Sequence, residues 1–157
     1  MTLVLALSAA LLASEAVPEA IVQAVEQVES SGRGAKTPKG DNGKALGCLQ
    51  WHSSAWSDCS AIRRKAGLTV YPYADAAVPM RARDYARTWL TVLKVRLAAE
   101  IGRQPYPGEI WLAWNLGWSG FQRYGFSWAH VSRVKFDKAR QVNSLAWGLP
   151  KRPALSR

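Results

Sequence analysis

Residues 18–32 read PEAIVQAVEQVESSG, and this stretch decides how the fold is interpreted. Pro18 suits the first turn of a helix and Gly32 its end, because proline presets a helical φ and glycine tolerates a left-handed one. At about 100° per residue, one face of such a helix is apolar. That face carries Ile21, Val22, Val25 and Val28. The pattern therefore predicts an amphipathic helix packed against a core.

Glu29 lies inside this apolar face, four residues after Val25 and seven after Val22. Burial disfavours the charged form of a carboxyl group, and the C-terminal end of the helix dipole acts in the same direction. A carboxyl group that keeps its proton is what general acid catalysis requires. The alternative is a helix-end glutamate that reaches solvent or pairs with Arg33. Glu26 falls at or beyond the edge of the face, where we expect it to be solvated.

The rest of the chain predicts a mainly α domain, with at most a small β-hairpin in a glycine-rich loop. Residues 31–47 contain five glycines and the turn sequence Asp41-Asn42-Gly43, so they form a loop. Proline and glycine punctuation together with apolar periodicity predicts the remaining helices. Their approximate ranges are 51–66, 79–101, 107–117 and 128–142.

Composition narrows the class of protein. The chain has 157 residues, the size of one domain, and a formal net charge of +10, which favours a polyanionic partner. No apolar run approaches the roughly 20 residues of a membrane span, so we expect no stable membrane insertion. Two Cys and two His are too few for a structural zinc site, and no metal or cofactor is expected. Eight Trp are unusual for this length and suit either a Trp-rich core or stacking on sugars or bases.

The sequence divides into an N-terminal segment, a domain and a C-terminal tail. Residues 1–16 hold a short apolar run that fits a signal peptide cleaved before Val17, although no basic residue precedes it; the alternative is a first helix packed on the domain. Residues 17–148 form the domain, and residues 149–157 a basic tail. Cys48 and Cys59 either form a disulfide in an oxidising compartment or remain two buried thiols.

Three motifs follow one another in the chain: Glu29-Ser30, Gly47-Cys48-Leu49-Gln50, and Ala113-Trp114-Asn115-Leu116-Gly117. In this order, and over about residues 18–142, they resemble the soluble lytic transglycosylase and goose-type lysozyme group of the lysozyme-like superfamily. Trp114 replaces the tyrosine of that family's pattern, and Cys48-Leu49 replaces Leu-Met. A later tyrosine of the family is matched by Phe136 at best.

The resemblance implies a lysozyme-like α-helical domain that cleaves the β-1,4 bond between MurNAc and GlcNAc in peptidoglycan, as a lytic transglycosylase or a muramidase. Glu29 would be the catalytic acid and base, beside Ser30. Gln50 and Asn115 would position an N-acetylated sugar. Trp114 keeps a stacking surface, and three more aromatic residues lie near predicted loops where they could stack on sugar rings: Trp51, Trp118 and Tyr73.

A second carboxylate is the open question in the chemistry. Asp41 is the best-placed candidate, since glycosidases commonly use two acids, but in Asp-Asn-Gly it is more simply a turn residue. Without it, one glutamate first gives and then takes a proton, and the 6-hydroxyl of the sugar attacks. The product then carries a 1,6-anhydro end.

Two other functions compete with the enzyme. A catalytically inactive wall-binding module would explain the substituted tyrosine positions. A nucleic-acid-binding protein would explain the charge, but no motif supports it and we expect none bound. The preferred prediction is a monomeric enzyme that acts on peptidoglycan glycan strands in the periplasm or outside the cell, whether bacterial or phage-derived.

Overall fold

The computed structural model describes residues 8–148. Residues 1–7 of the predicted signal segment and the predicted basic tail, residues 149–157, lie outside the described residues. Seven helices and two short strands occur in the described part. The helices are α1 (Ala9–Ser14), α2 (Glu19–Ser30), α3 (Ser53–Lys65), α4 (Pro79–Ile101), α5 (Pro107–Leu116), α6 (Trp118–Gln122) and α7 (Arg133–Ala146). The strands are β1 (Ala45–Leu46) and β2 (Trp51–His52). The predicted mainly α fold with a small hairpin in the glycine loop is confirmed.

Proline and glycine residues mark the helix ends at or near the predicted positions. Helix α4 begins at Pro79 and ends before Gly102, whose φ of 69° lies in the left-handed region. Helix α5 begins at Pro107 and is followed by Gly117, as predicted. Helix α2 ends one residue earlier than expected, because Ser31 rather than Gly32 is its left-handed cap, with φ 51°.

Two elements near the C-terminus differ from the prediction. Residues 118–122 form the separate helix α6, which is too short for the sequence pattern to indicate. Helix α7 begins at Arg133 rather than near Trp128, since residues 128–130 form a 3-10 turn. The hydroxyl of Ser132 then caps α7 by accepting a hydrogen bond from the Lys135 backbone N–H at 3.4 Å.

Helix α4 is the centre of the packing and contacts α1, α2, α3 and α5. Helix α7 closes the other side against α2 and α5. The second half of the N-terminal apolar run forms α1, whose Leu12 packs against Ala66 and Val92. The backbone N–H of Val17 donates to Thr91 Oγ1 at 3.1 Å. Helix α1 and Val17 therefore pack against α4. No helix between residues 8 and 148 combines the length and apolarity needed to cross a membrane.

The hairpin is fastened to the body of the domain rather than free. β1 and β2 are antiparallel, with Leu46 opposite Trp51. At Gly47 the backbone has φ 74°, and a Cβ there would lie 1.9 Å from the Ala76 carbonyl oxygen, so only glycine fits. The Tyr73 hydroxyl donates to the Trp51 carbonyl oxygen at 2.7 Å. The loop that holds Gln50 thus has one fixed geometry.

The two cysteines are free thiols, and both are buried. Burial, together with the nearby Glu26 carboxylate, raises the pKa of Cys48 to about 11. Burial likewise raises the pKa of Cys59. Of the two alternatives left by the sequence, the structure has the reduced, buried pair, and neither thiol is chemically activated.

The expectation that Glu26 is solvated is wrong. Glu26 is 8% exposed, and the Arg83 guanidinium of α4 binds it at two points, 2.5 Å (Nε to Oε2) and 2.9 Å (Nη2 to Oε1). These hydrogen bonds lower the pKa of Glu26, against the opposing effect of burial. Helical periodicity placed Glu26 at the edge of the apolar face, and α4 covers that edge.

We expect Arg83→Met to lower the free energy of unfolding by about 2 kcal/mol at pH 7, less than for a fully buried pair because the Arg83 side chain is 43% exposed. A carboxyl group whose pKa is depressed by folding contributes stability above its unfolded pKa, roughly 4.3, and loses it as pH falls through the lower folded value. The difference in unfolding free energy between wild type and variant should therefore become smaller below about pH 4. Urea titrations at pH 7 and pH 3.5 measure it.

Arg87→Met is the matched control for this pair. Arg87 bridges Glu19 on the same two helices, but both side chains are 44% exposed, so the loss should stay below about 1 kcal/mol. Equal losses of unfolding free energy in the two variants would contradict the burial argument. An Arg83→Met destabilisation that is the same at both pH values would contradict it as well.

Candidate active site

Glu29 lies in the last turn of α2 and is half-buried, facing α5. Its Oε1 atom accepts two hydrogen bonds, from Trp111 Nε1 at 2.7 Å and from Asn115 Nδ2 at 3.1 Å. Trp111 and Asn115 are four residues apart, so one face of α5 presents both donors. Two N–H groups of α5 thus hold Oε1 of this carboxyl group.

The second oxygen of Glu29 is differently placed. Among the described residues, none donates a hydrogen bond to Oε2, and residues 8–148 contain no buried side-chain oxygen or nitrogen without a partner. Oε2 is therefore accessible from the surface. One oxygen anchors the group and the other is open, which is the arrangement that a proton donor or acceptor needs.

Lys135 of α7 completes the cluster. Its ammonium donates a hydrogen bond to Asn115 Oδ1 and lies 5.9 Å from the centroid of the Trp111 ring. Burial lowers the pKa of Lys135, while the nearby Glu29 carboxylate acts in the opposite direction. Three helices, α2, α5 and α7, therefore bring four polar side chains together: Glu29, Trp111, Asn115 and Lys135.

Gln50 is not part of this cluster. Its side-chain Nε2 donates to the carbonyl oxygens of Gly47 at 2.9 Å and Pro38 at 3.1 Å. The residue has φ 51°, and a Cβ on Gly40 would lie 2.0 Å from its Oε1 atom. The Gln50 amide closes the glycine loop, so its N–H groups are engaged within the protein instead of being free for a sugar.

Asp41 lies on the exposed side of the same loop, with φ 47° in a tight turn. Its carboxylate is 60% exposed and is 3.6 Å from His52 Nε2. The structure thus places Asp41 in a turn with a histidine neighbour, which is the simpler of the two sequence interpretations. Its predicted catalytic role has no supporting contact with Glu29.

The aromatic residues proposed to stack on sugars divide into two groups. Trp51 is 1% exposed, enclosed by Trp56, Tyr85 and Trp114, and donates from Nε1 to the Ala82 carbonyl oxygen. Its predicted role in sugar stacking is therefore corrected: the tight hairpin turns the ring inward, whereas a loop position suggested exposure. Three others remain partly exposed: Tyr73, Trp114 and Trp118.

Each of these three residues also contacts other parts of the protein. Trp114 meets the edge of Trp51, with centroids 4.6 Å apart. The Arg96 guanidinium lies 3.9 Å over the Trp118 ring. Burial raises the pKa of Tyr73, whose hydroxyl donates a hydrogen bond to the hairpin.

Ser30 is 2% exposed, so its predicted contact with a glycan is also corrected. Its position on α2 faces the core rather than the surface beside Glu29.

Sequence reasoning missed two members of the cluster. Trp111 is fully buried, and a buried indole N–H needs a hydrogen-bond partner. That requirement was the available signal for its bond to Glu29. The sequence did not indicate a role for Lys135, because a lysine in a basic helix is usually a solvated surface charge.

Comparisons of the chain with protein-family models, with curated proteins and with solved structures found no match. The likeness to lytic transglycosylases therefore remains a sequence-based prediction, and the site has to be interpreted from its own geometry. No group of three or more metal-ligating side chains occurs within residues 8–148.

Proposed function

We propose that this protein is a peptidoglycan-cleaving glycosidase that uses Glu29 as its single general acid and base. The observation that carries the proposal is the asymmetry of the Glu29 carboxyl group: Oε1 is held by Trp111 and Asn115, while Oε2 is accessible. The family resemblance supplies the substrate, the β-1,4 bond between MurNAc and GlcNAc. No cofactor is needed for this chemistry.

In the first step the protonated Glu29 transfers its proton from Oε2 to the glycosidic oxygen. The bond between C1 of MurNAc and that oxygen breaks, and GlcNAc leaves with a free 4-hydroxyl group. Positive charge develops at C1 as Glu29 becomes an anion. The N–H groups of Trp111 and Asn115 stabilise this anion, because donors to a carboxylate favour its charged form.

In the second step the Glu29 carboxylate takes a proton from the 6-hydroxyl group of the same MurNAc. The oxygen O6 bonds to C1, and a 1,6-anhydro ring closes without consuming water. This intramolecular route is preferred to hydrolysis with two acids because Asp41, the candidate second carboxylate, is mostly exposed and lies 3.6 Å from His52 Nε2. The same Glu29 ends the cycle protonated.

The charge of the protein suits this substrate. A net charge of +10 favours approach to a wall that carries carboxylates and anionic polymers. The partly exposed rings of Tyr73, Trp114 and Trp118 offer apolar faces to sugar rings. A wall substrate implies that the protein acts in the periplasm or outside the cell.

Mass analysis of the fragments released from purified peptidoglycan tests the reaction. We expect soluble muropeptides with a 1,6-anhydro-MurNAc end, which are about 18 mass units (one water) lighter than the corresponding hydrolysis products. Fragments with a reducing MurNAc end would show a muramidase and would require a water-activating base. Release of no fragment at any pH would contradict the proposal of an enzyme.

A wall-binding module without turnover is the second candidate. It is favoured by one observation: Trp114 stands where the family pattern has a tyrosine, so the position keeps a partly exposed stacking surface but has no hydroxyl for catalysis. Sedimentation with insoluble peptidoglycan, without release of fragments, would support it over the enzyme.

A further inference from the structure

We propose that Lys135 is a positioning residue for the glycosidase reaction, fixing the Asn115 amide so that its N–H group, and not its oxygen, faces Glu29. This inference rests on the proposed function. It also changes the role of Asn115, which then acts on the catalytic acid instead of on the sugar.

The direction of the amide follows from the chemistry of its two neighbours. A lysine ammonium can only donate hydrogen bonds, and a carboxylate can only accept them. Asn115 lies between the two, so its Oδ1 must face Lys135 and its Nδ2 must face Glu29. The flipped amide would place two donors against each other on one side and two acceptors on the other.

Lys135 is held in place for this task. It is half-buried on α7, beside the uncharged Trp111 and Asn115 of α5, with its ammonium 5.9 Å from the Trp111 ring centroid. The charged groups that act on it are Glu29 of α2 and Lys138 of its own helix. One ammonium therefore contacts both of the residues that donate to Glu29, whereas Lys138, the exposed lysine of the same helix, contacts neither.

Without the ammonium, Asn115 Oδ1 loses the donor that holds it, and the amide can rotate. Glu29 would then accept a hydrogen bond from Trp111 only, during part of the catalytic cycle. A hydrogen bond to a charged group corresponds to roughly a tenfold to hundredfold change in rate. Substrate binding should change little, because neither Lys135 nor Asn115 needs to touch the sugar.

The test compares Lys135→Met with Lys135→Arg, using soluble oligomers of alternating GlcNAc and MurNAc to separate kcat from KM. We expect Lys135→Met to lower kcat at least about tenfold with KM nearly unchanged, and Lys135→Arg, which can still donate to Oδ1, to regain much of it. Lys138→Met is the control: it removes the same charge from the same helix without contacting Asn115. Its kcat should stay at the wild-type level.

The pH profile adds a readout that a purely structural role would not change. Removing the Lys135 cation changes the electrostatic environment of the site, so the pH profile of kcat/KM in Lys135→Met should differ in shape from those of the wild type and Lys138→Met. A uniform loss at every pH, with no recovery in Lys135→Arg, would overturn the positioning role. So would a wild-type kcat in Lys135→Met when Glu29→Gln is inactive, and that result would leave the proposed glycosidase intact.

Hydrogen exchange of the Asn115 side-chain amide, followed by NMR of nitrogen-15-labelled protein, decides the positioning role without any activity. We expect both protons to exchange at least about tenfold faster in Lys135→Met than in the wild type or Lys138→Met. Equal exchange in all three proteins would overturn the inference. If the Glu29→Gln variant were active, the proposed function would be overturned instead. The exchange rates would still show whether Lys135 holds the Asn115 amide.

Discussion

Replacing Glu29 with glutamine is expected to lower the rate of muropeptide release by about a hundredfold to ten-thousandfold, because the reaction loses its only proton donor and acceptor. The fold should be preserved. Glutamine keeps an oxygen at the position of Oε1, which can still accept from Trp111 Nε1 and Asn115 Nδ2. Release from purified peptidoglycan, measured together with the thermal unfolding midpoint, gives both quantities.

Asp41→Asn is the matched control, since it makes the same change from carboxyl to amide at the other candidate acid. Asp41 is 60% exposed in a turn, and asparagine tolerates its left-handed φ of 47°, so we expect nearly full activity. Full activity in Glu29→Gln would remove Glu29 from the mechanism. Loss of activity in both variants would instead support a two-carboxylate hydrolase.

Gly108→Ala is expected to destabilise the protein by about 3 kcal/mol, which corresponds to a fall of roughly 10 °C in the unfolding midpoint. Gly108 lies where α5 crosses α7, and an added Cβ would be 2.4 Å from the Ala139 carbonyl oxygen. Its backbone N–H also donates to Asn143 Oδ1 at 2.7 Å. Because backbone blocks the methyl group, the two helices must separate, and they carry Trp111, Asn115 and Lys135.

Gly120→Ala controls for the intrinsic effect of alanine in a helix. There the added Cβ would meet only the Leu116 side chain, at 3.2 Å, which can shift by a few tenths of an ångström. We expect a change within about 1 kcal/mol. If Gly108→Ala were no less stable than Gly120→Ala, the close approach of α5 and α7 would not be a constraint on the site.

The local features of the fold could be predicted from the sequence. Pro79 and Gly102 bound α4, and Pro107 and Gly117 bound α5, because these residues act through their own backbone geometry. Helix α6 escaped prediction since five residues are too few to show a periodicity. Trp51 was misplaced because loop proximity does not reveal which way a short hairpin turns a side chain.

The site could be predicted only in part. Position 29 stood out because a glutamate in an apolar stripe needs a polar partner. The sequence could not say that the same requirement at Glu26 is met by Arg83, 57 residues away. Nor could it distinguish the Asn115 amide, which meets Glu29, from the Gln50 amide, which closes a loop.

By itself, the sequence determined most of the helical segments, a small hairpin in the glycine-rich loop and the first acid to test, since each depends on interactions within a few residues. The tertiary structure alone decided what surrounds that acid. Trp111 and Asn115 reach Glu29 because α2 and α5 both pack against α4 and α7, and Lys135 reaches Asn115 because α7 packs on α5. Hydrogen bonds between groups more than 80 residues apart depend on helix packing, which no local pattern of residues encodes.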